Sequence, residues 1–194
     1  MVGSNAFGRS SLPEVVSAIR ANPGAVSCAS SGALPTVGCE LLRAFAKAEM
    51  IMVSYKGNAP AMAALMGGEV NLLFDPITTS LPHIKSGKVR ALASMNPKRG
   101  GFGLPDLPTA SEVFPDMWFE GWHGALGPGG MPRDIVQRMN REFDAVMKSP
   151  EIQKVFLPQG FNIIGGPPEV FTERIRVDLQ KFSKALADAG IKPE

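Results

Sequence analysis

Short apolar runs alternate with segments whose apolar residues recur every three or four positions, and this alternation continues through the first ninety or so residues. Ser11-Leu12-Pro13-Glu14 has the spacing of a capping box, in which the serine hydroxyl takes an early helix amide and the glutamate reaches back to the cap. It predicts a helix to about Asn22. After Asn22-Pro23-Gly24, the small apolar run Ala25-Val26-Ser27-Cys28-Ala29 predicts a strand buried on both faces. Ser30-Ser31-Gly32-Ala33-Leu34-Pro35-Thr36 reads as a loop, followed by Val37, Leu41, Leu42, Phe45 and Ala46 at helical spacing. The unit then repeats. Met50-Ile51-Met52-Val53 predicts a strand, Tyr55-Lys56-Gly57-Asn58 a loop closing on an asparagine N-cap, and residues 59–66 a helix stopped by Gly67-Gly68. In a third unit, residues 70–74 form the strand, Asp75 is the N-cap and Pro76 opens a helix ending near Lys85. Residues 89–93 supply a fourth strand.

Strands alternating with helices across short loops predict a mostly parallel, doubly wound sheet, because parallel neighbours need a crossover and the helix supplies it. Residues 3–118 therefore read as one α/β unit, with Thr109-Ala110-Ser111-Glu112 capping a short helix after an irregular stretch from Asn96 to Pro108. Beyond Trp118-Phe119-Glu120-Gly121-Trp122 the chain changes character. Three helical patterns, near 133–148, 150–157 and 167–189, surround a single candidate strand over residues 161–164. These helices carry apolar faces with no obvious sheet of their own to cover.

Composition narrows the classes of function. A chain of 194 residues that is 44% hydrophobic and 20% charged has the material for a real core. Its 20 basic and 18 acidic residues leave a net charge of +2, and no basic run exceeds Lys98-Arg99, so nucleic acid is not an expected partner. No stretch reaches the length of a membrane span, and the first 21 residues lack the basic start and apolar centre of an export signal, so the chain as written reads as cytosolic. Two cysteines cannot define a disulfide framework, and Cys28 and Cys39 are both expected to be small buried thiols. His83 and His123 have no metal-binding motif beside them, and no nucleophile is tied to a base, so neither a metal, a cofactor nor catalysis is expected.

Ligands of open α/β sheets bind beyond the carboxyl ends of the strands, where helix N-termini converge. Three loops qualify, at residues 30–36, 55–58 and 75–79. In the first, the hydroxyls of Ser30, Ser31 and Thr36 join the free amides of a helix start around Gly32 and Ala33, which suits a carboxylate. The same residues also make an ordinary capped helix start. Neither GxGxxG nor GxxxxGK[ST] is present, which argues against a nucleotide. Asp75 either stabilises its own helix or offers an oxygen to a ligand hydroxyl, amine or water. Lys56 is a solvated charge or a ligand contact, Tyr55 a core residue with its hydroxyl at the rim, and Gly57 lies between Lys56 and the N-cap. Trp122 either packs two units together or walls a pocket, and His123 reads as structural.

Several blocks carry a resemblance. Val53-Ser54-Tyr55-Lys56-Gly57-Asn58-Ala59-Pro60-Ala61, Gly67-Gly68-Glu69-Val70-Asn71, Phe74-Asp75, and the stretch from Ser80-Leu81-Pro82-His83 to Leu92-Ala93 resemble the extracytoplasmic solute receptors of tripartite tricarboxylate transporters, the Bug receptors. Leu104-Pro105-Asp106-Leu107-Pro108-Thr109 and the closing Ala189-Gly190-Ile191-Lys192-Pro193-Glu194 fit the same pattern. The resemblance implies a periplasmic-binding-protein-like two-lobe α/β fold, its second lobe complete with a parallel or mixed sheet over residues 3–118 and its first lobe only partly present in residues 119–194. It implies a non-enzymatic, periplasmic receptor that closes on a small carboxylate solute and delivers it to membrane permease subunits. Ser30, Ser31, Gly32, Ala33, Thr36 and Asp75 would face the cleft, with Tyr55, Lys56 and Gly57 nearby and Trp122 near the crossing. The resemblance places an earlier first-lobe segment, with a leader and a Pro-Gly-Gly loop, before the start of this chain. In the first loop the family has more glycine and hydroxyl residues where Ala33 and Leu34 stand, and often histidine where Thr36 stands. The competing reading is a truncated or cytosolic receptor-like module acting as a sensor or interaction protein, with self-association through exposed first-lobe helices.

Overall fold

Successive residues on the central strands point to opposite faces of one sheet, and that alternation sorts the apolar side chains into two layers. In the computed structural model, which describes residues 1–99, 103–159 and 161–188, five strands form a sheet in the order β3-β2-β4-β1-β5. They are β1 (Val2–Ser4), β2 (Ser27–Ser30), β3 (Ile51–Ser54), β4 (Leu72–Leu73) and β5 (Val89–Ala91). Cys28, Leu72 and Leu92 face α1 (Leu12–Ala21) and α2 (Ala33–Ala46), whose Val15, Ile19, Cys39 and Leu42 complete that layer. Val2, Ala29, Leu73 and Val89 face the opposite way, toward Ala61, Met62 and Leu65 of α3 (Asn58–Gly67) and Ile84 of α4 (Ile77–Lys85). Each residue step along a strand crosses the sheet, so one short apolar run feeds both layers.

β2 pairs in parallel with β3 and β4, as the strand–helix alternation predicts. The sheet is nevertheless mixed, because β1 lies antiparallel between β4 and β5. The sequence reading missed this strand: three residues contain no periodicity, and the slot they fill exists only once β4 and β5 are in place. The fourth predicted strand therefore pairs with β1 and is separated from β4 by it.

Local signals hold with small shifts. Ser11 caps α1 through the Glu14 amide at 3.4 Å, while the Glu14 carboxylate reaches one residue further back than predicted, to the Ser10 amide at 2.9 Å and its hydroxyl. The caps expected at Asn58 and Asp75 are corrected: α3 starts at Asn58 behind Gly57, and α4 starts at Ile77 behind Pro76. Thr109 and Glu112 do close the short helix Ala110–Glu112, the Thr109 amide donating to the Glu112 carboxylate at 2.9 Å.

After residue 119 come α5 (Arg133–Met147), α6 (Pro150–Phe156) and α7 (Pro168–Asp188), close to the three predicted spans. Residues 161–164 form no strand, since no neighbouring strand offers them a ladder. The closing residues 189–194, which entered the resemblance, lie outside the described residues. No described helix is long and apolar enough to cross a membrane.

The two cysteines correct the expectation of separate thiols. Cys28 in β2 and Cys39 in α2 form a disulfide, with Cα atoms 6.0 Å apart and both residues fully buried. When α2 folds back over the strand that precedes it, the third residue of its second turn lands directly above Cys28, which spacing in sequence does not reveal.

Candidate functional site at the strand ends

Because β2, β3 and β4 share one direction, the residues that follow them collect along one edge of the sheet. The Ser30 carbonyl accepts a hydrogen bond from the Tyr55 amide at 2.8 Å, which holds the first two loops side by side. The Ser31 hydroxyl spans the gap to the Asn58 side-chain oxygen at 2.7 Å. Thr36 donates its hydroxyl to the Gly32 carbonyl at 2.8 Å, leaving Ser30 to donate to Thr36 in the bond those two hydroxyls share. Ser30, Ser31, Gly32, Thr36, Tyr55 and Gly57 thus form one group with Asn58, which the sequence reading had treated only as a helix cap.

Two glycines set the direction of approach. Gly32 has φ +148° and ψ −179°, and Gly57 has φ +101° and ψ 173°, a backbone region that only glycine occupies without strain. Each turns the chain abruptly from a strand end into the first turn of α2 or α3. Neither helix has a side-chain cap bond, so their first amides face outward with the positive ends of two helix dipoles. Gly32 and Ala33 are exposed, which leaves the backbone of that turn accessible. Lys56 is exposed at the edge of the group, and the half-buried Tyr55 packs against the α3 layer.

Asp75 follows β4 on the same edge. One carboxylate oxygen accepts hydrogen bonds from the hydroxyls of Thr79 and of Ser80, the latter at 2.7 Å. Its other oxygen is buried and has no hydrogen-bond partner. Asp75 therefore binds two hydroxyls of the first turn of α4 without capping its amides, and keeps an unused acceptor. Phe74 beside it is buried against Gly38 of α2.

Trp122 does not join this group. Its indole N–H donates to Asp178 of α7 at 2.8 Å, and its ring meets Phe171 edge-on at 4.9 Å between centroids. Its neighbour Gly121 lies beside the first turn of α2, where a β-carbon on it would stand 3.2 Å from the Leu34 side chain. Around Trp122 lies a charged cluster that the sequence reading missed. Arg174 bridges Asp178 at 2.7 Å and Glu120 at 3.1 Å, and Lys181 lies over the Trp118 ring. Burial pushes the Lys181 amine down to about 8. The available signal was the i, i+4, i+7 spacing of Arg174, Asp178 and Lys181 on one helix face, which reads equally as a solvated surface. Among the described residues, no three His, Cys, Asp or Glu side chains group to hold a metal ion. A shallow groove of about 230 Å³ between α5 and the start of α7, lined by Arg133, Val136, Asn140, Pro168 and Glu169, is formed wholly by the C-terminal helices and takes in none of the strand-end residues.

A mixed sheet covered on both faces, with helix starts gathered at one edge, is the construction of a lobe of a periplasmic binding protein. The chain belongs to the tripartite tricarboxylate transporter family of receptors, whose family description matches residues 1–188. It is 30% identical over 181 residues to a UPF0065 protein from the tcbD-tcbE intergenic region of Pseudomonas sp. (strain P51), covering 91% of this chain and 54% of that one. Among solved structures, R. palustris Rpa4515 with adipate superposes with a TM-score of 0.89 at 26% identity, covering 100% of this chain and 65% of that chain. The periplasmic binding protein BugD gives 0.87 at 26% identity, covering 100% and 66%. The chain thus spans about half the length of that curated relative and about two thirds of those structures. Receptors of this class bind solutes and are not enzymes.

Proposed function

We propose that this chain is the carboxylate-gripping part of an extracytoplasmic solute receptor that serves a tripartite transporter. The observation that carries the reading is the pair of uncapped helix starts, α2 behind Gly32 and α3 behind Gly57, joined by the Ser31–Asn58 hydrogen bond on one sheet edge. Backbone amides of Ala33 and Leu34 hold a carboxylate without a cationic partner, and Ser30, Ser31 and Thr36, whose hydroxyl protons go to Thr36, Asn58 and the Gly32 carbonyl, fix the turn that presents those amides. Asp75 stands on the same edge, its carboxylate fixing the Thr79 and Ser80 hydroxyls at the start of α4 beside the site. Tyr55, Lys56 and Gly57 border this site. Trp122 acts at a distance, fixing the crossing segment to α7.

In this reading residues 3–118 are the second lobe and residues 119–194 the return into the first, and closure of the two lobes commits the solute for delivery to the membrane permease. The bound adipate of the similar R. palustris protein supports a small carboxylate as the class of solute. Periplasmic residence follows from the same reading.

Thermal-shift titration against a panel of small mono-, di- and tricarboxylates tests it. A rise in melting temperature with at least one acid is expected, abolished by Ser31→Ala and reduced by Asp75→Ala. A folded protein that responds to no carboxylate would overturn the reading for this chain.

A further inference from the structure

The disulfide sits where the proposed site is built. Cys28 is the second residue of β2 and Cys39 lies in α2, so the bridge closes a ring around residues 29–38. That ring contains Ser30, Ser31, Gly32, Ala33 and Thr36, half of the residues assigned to the site from sequence. Within it the backbone passes through the glycine-only conformation at Gly32, and α2 begins without a side-chain cap. The loop itself is held by three hydroxyl hydrogen bonds, two of them internal to it. Such a turn is conformationally loose on its own account, because glycine offers the chain many alternatives. Both sulfur-bearing residues are fully buried in the layer between the sheet and α1–α2, so the bridge is anchored in the rigid part of the molecule and not in the loop.

We infer that the Cys28–Cys39 disulfide is a positioning element of the solute site, fixing the first turn of α2 over the end of β2 so that its free amides converge with those of α3. This rests on the carboxylate-binding reading above. The ring transmits the position of two buried anchors to the amides between them, and breaking it frees the loop before it unfolds the sheet. Affinity for the solute therefore depends on the oxidised state, which an oxidising compartment maintains and a reducing one removes.

The test compares the full oxidised chain with Cys28→Ala/Cys39→Ala, and with Leu42→Ala as a control that loosens the same layer while leaving the bridge intact. Amide hydrogen exchange and calorimetric binding of adipate are read on all three. Removing the bridge is expected to speed exchange of amides 31–37 at least tenfold and to weaken adipate at least tenfold, while β1 and β5 keep their protection. Leu42→Ala is expected to lower the melting temperature without either effect. Unchanged exchange over residues 31–37 in the double variant would overturn the inference, as would equal effects from Leu42→Ala. A double variant and a reduced wild type that both unfold would make the bridge a requirement of the whole fold, and would overturn the local role as well. If the oxidised wild type binds no adipate, the exchange comparison still decides the positioning role, and the binding result counts against the carboxylate reading alone.

Discussion

Lys181 shows how one side chain takes a property from its surroundings. Its amine lies over the Trp118 ring, has no hydrogen-bond partner, and is held down to about 8, first by desolvation. The charges of Asp178, Glu120 and Asp116 favour the ammonium form, and Arg174 opposes it. Below pH 8 the amine is protonated in the folded and unfolded chains alike, so the cost of burying the charge is fully present. Between about 8 and the ordinary lysine value of 10.5, the folded chain has released a proton that the unfolded chain still holds, and stability rises with pH through that window. Denaturation of wild type and Lys181→Met between pH 7 and 10.5 checks this. The wild type should gain stability relative to the variant as the pH rises, and a constant difference would show that the amine titrates normally. In sequence Lys181 showed only its spacing from Arg174 and Asp178, which a solvated face shares, because its partners Trp118 and Glu120 are about sixty residues away and reach it only after α7 docks.

At the level of elements, the approach of α2 to the sheet decides the geometry of the site. Gly38 makes that approach possible: a β-carbon there would stand 2.4 Å from the Phe74 ring. Gly38→Ala is therefore expected to cost about 1–3 kcal/mol in urea denaturation, as overpacking does in a filled core, since the backbone of α2 or the ring must move. Phe74 directly precedes Asp75, so the same change should displace the Asp75 carboxylate and weaken carboxylate binding. Stability within a few tenths of a kcal/mol of wild type would show that the ring turns aside freely. The elements themselves were legible in the residues. The repeated strand–loop–helix units, the stops at Gly67-Gly68 and Asn22-Pro23-Gly24, and all three C-terminal helices follow from local periodicity and turn chemistry. The two caps misplaced by one residue each show where that signal is coarse, because Asn and Asp beside Gly or Pro suit several positions around a helix start.

For the whole molecule, the C-terminal helices carry the clearest consequence. On α5, Ile135, Met139, Phe143 and Val146 line one face at i, i+4, i+8 and i+11, and they remain 42–53% exposed. A continuous apolar stripe of this kind is built to be covered. In the proposed reading its cover is the remainder of the first lobe, and these 194 residues taken alone are expected to self-associate through the stripe. Sedimentation velocity across a tenfold concentration range should show a concentration-dependent rise in mass, abolished by Phe143→Glu with the fold retained by circular dichroism. A wild type that stays monomeric throughout would show that the stripe is too narrow to pair.

The sequence by itself determined what depends on neighbours along the chain: the order of helices and strands, the glycines that turn strand into helix, the edge at which the loops gather, and the family the blocks around Tyr55 and Val89 belong to. Tertiary structure decided what depends on residues meeting from afar. Val2–Ser4 became a central antiparallel strand because β4 and β5 left a slot between them. Cys28 and Cys39 became a disulfide because α2 folds back over β2. Trp122 left the site for α7 because Asp178, fifty-six residues away, gave its indole N–H a partner. Periodicity and capping are short-range effects written in a few successive residues, whereas pairing, cross-linking and desolvation are properties of the space that the folded chain encloses.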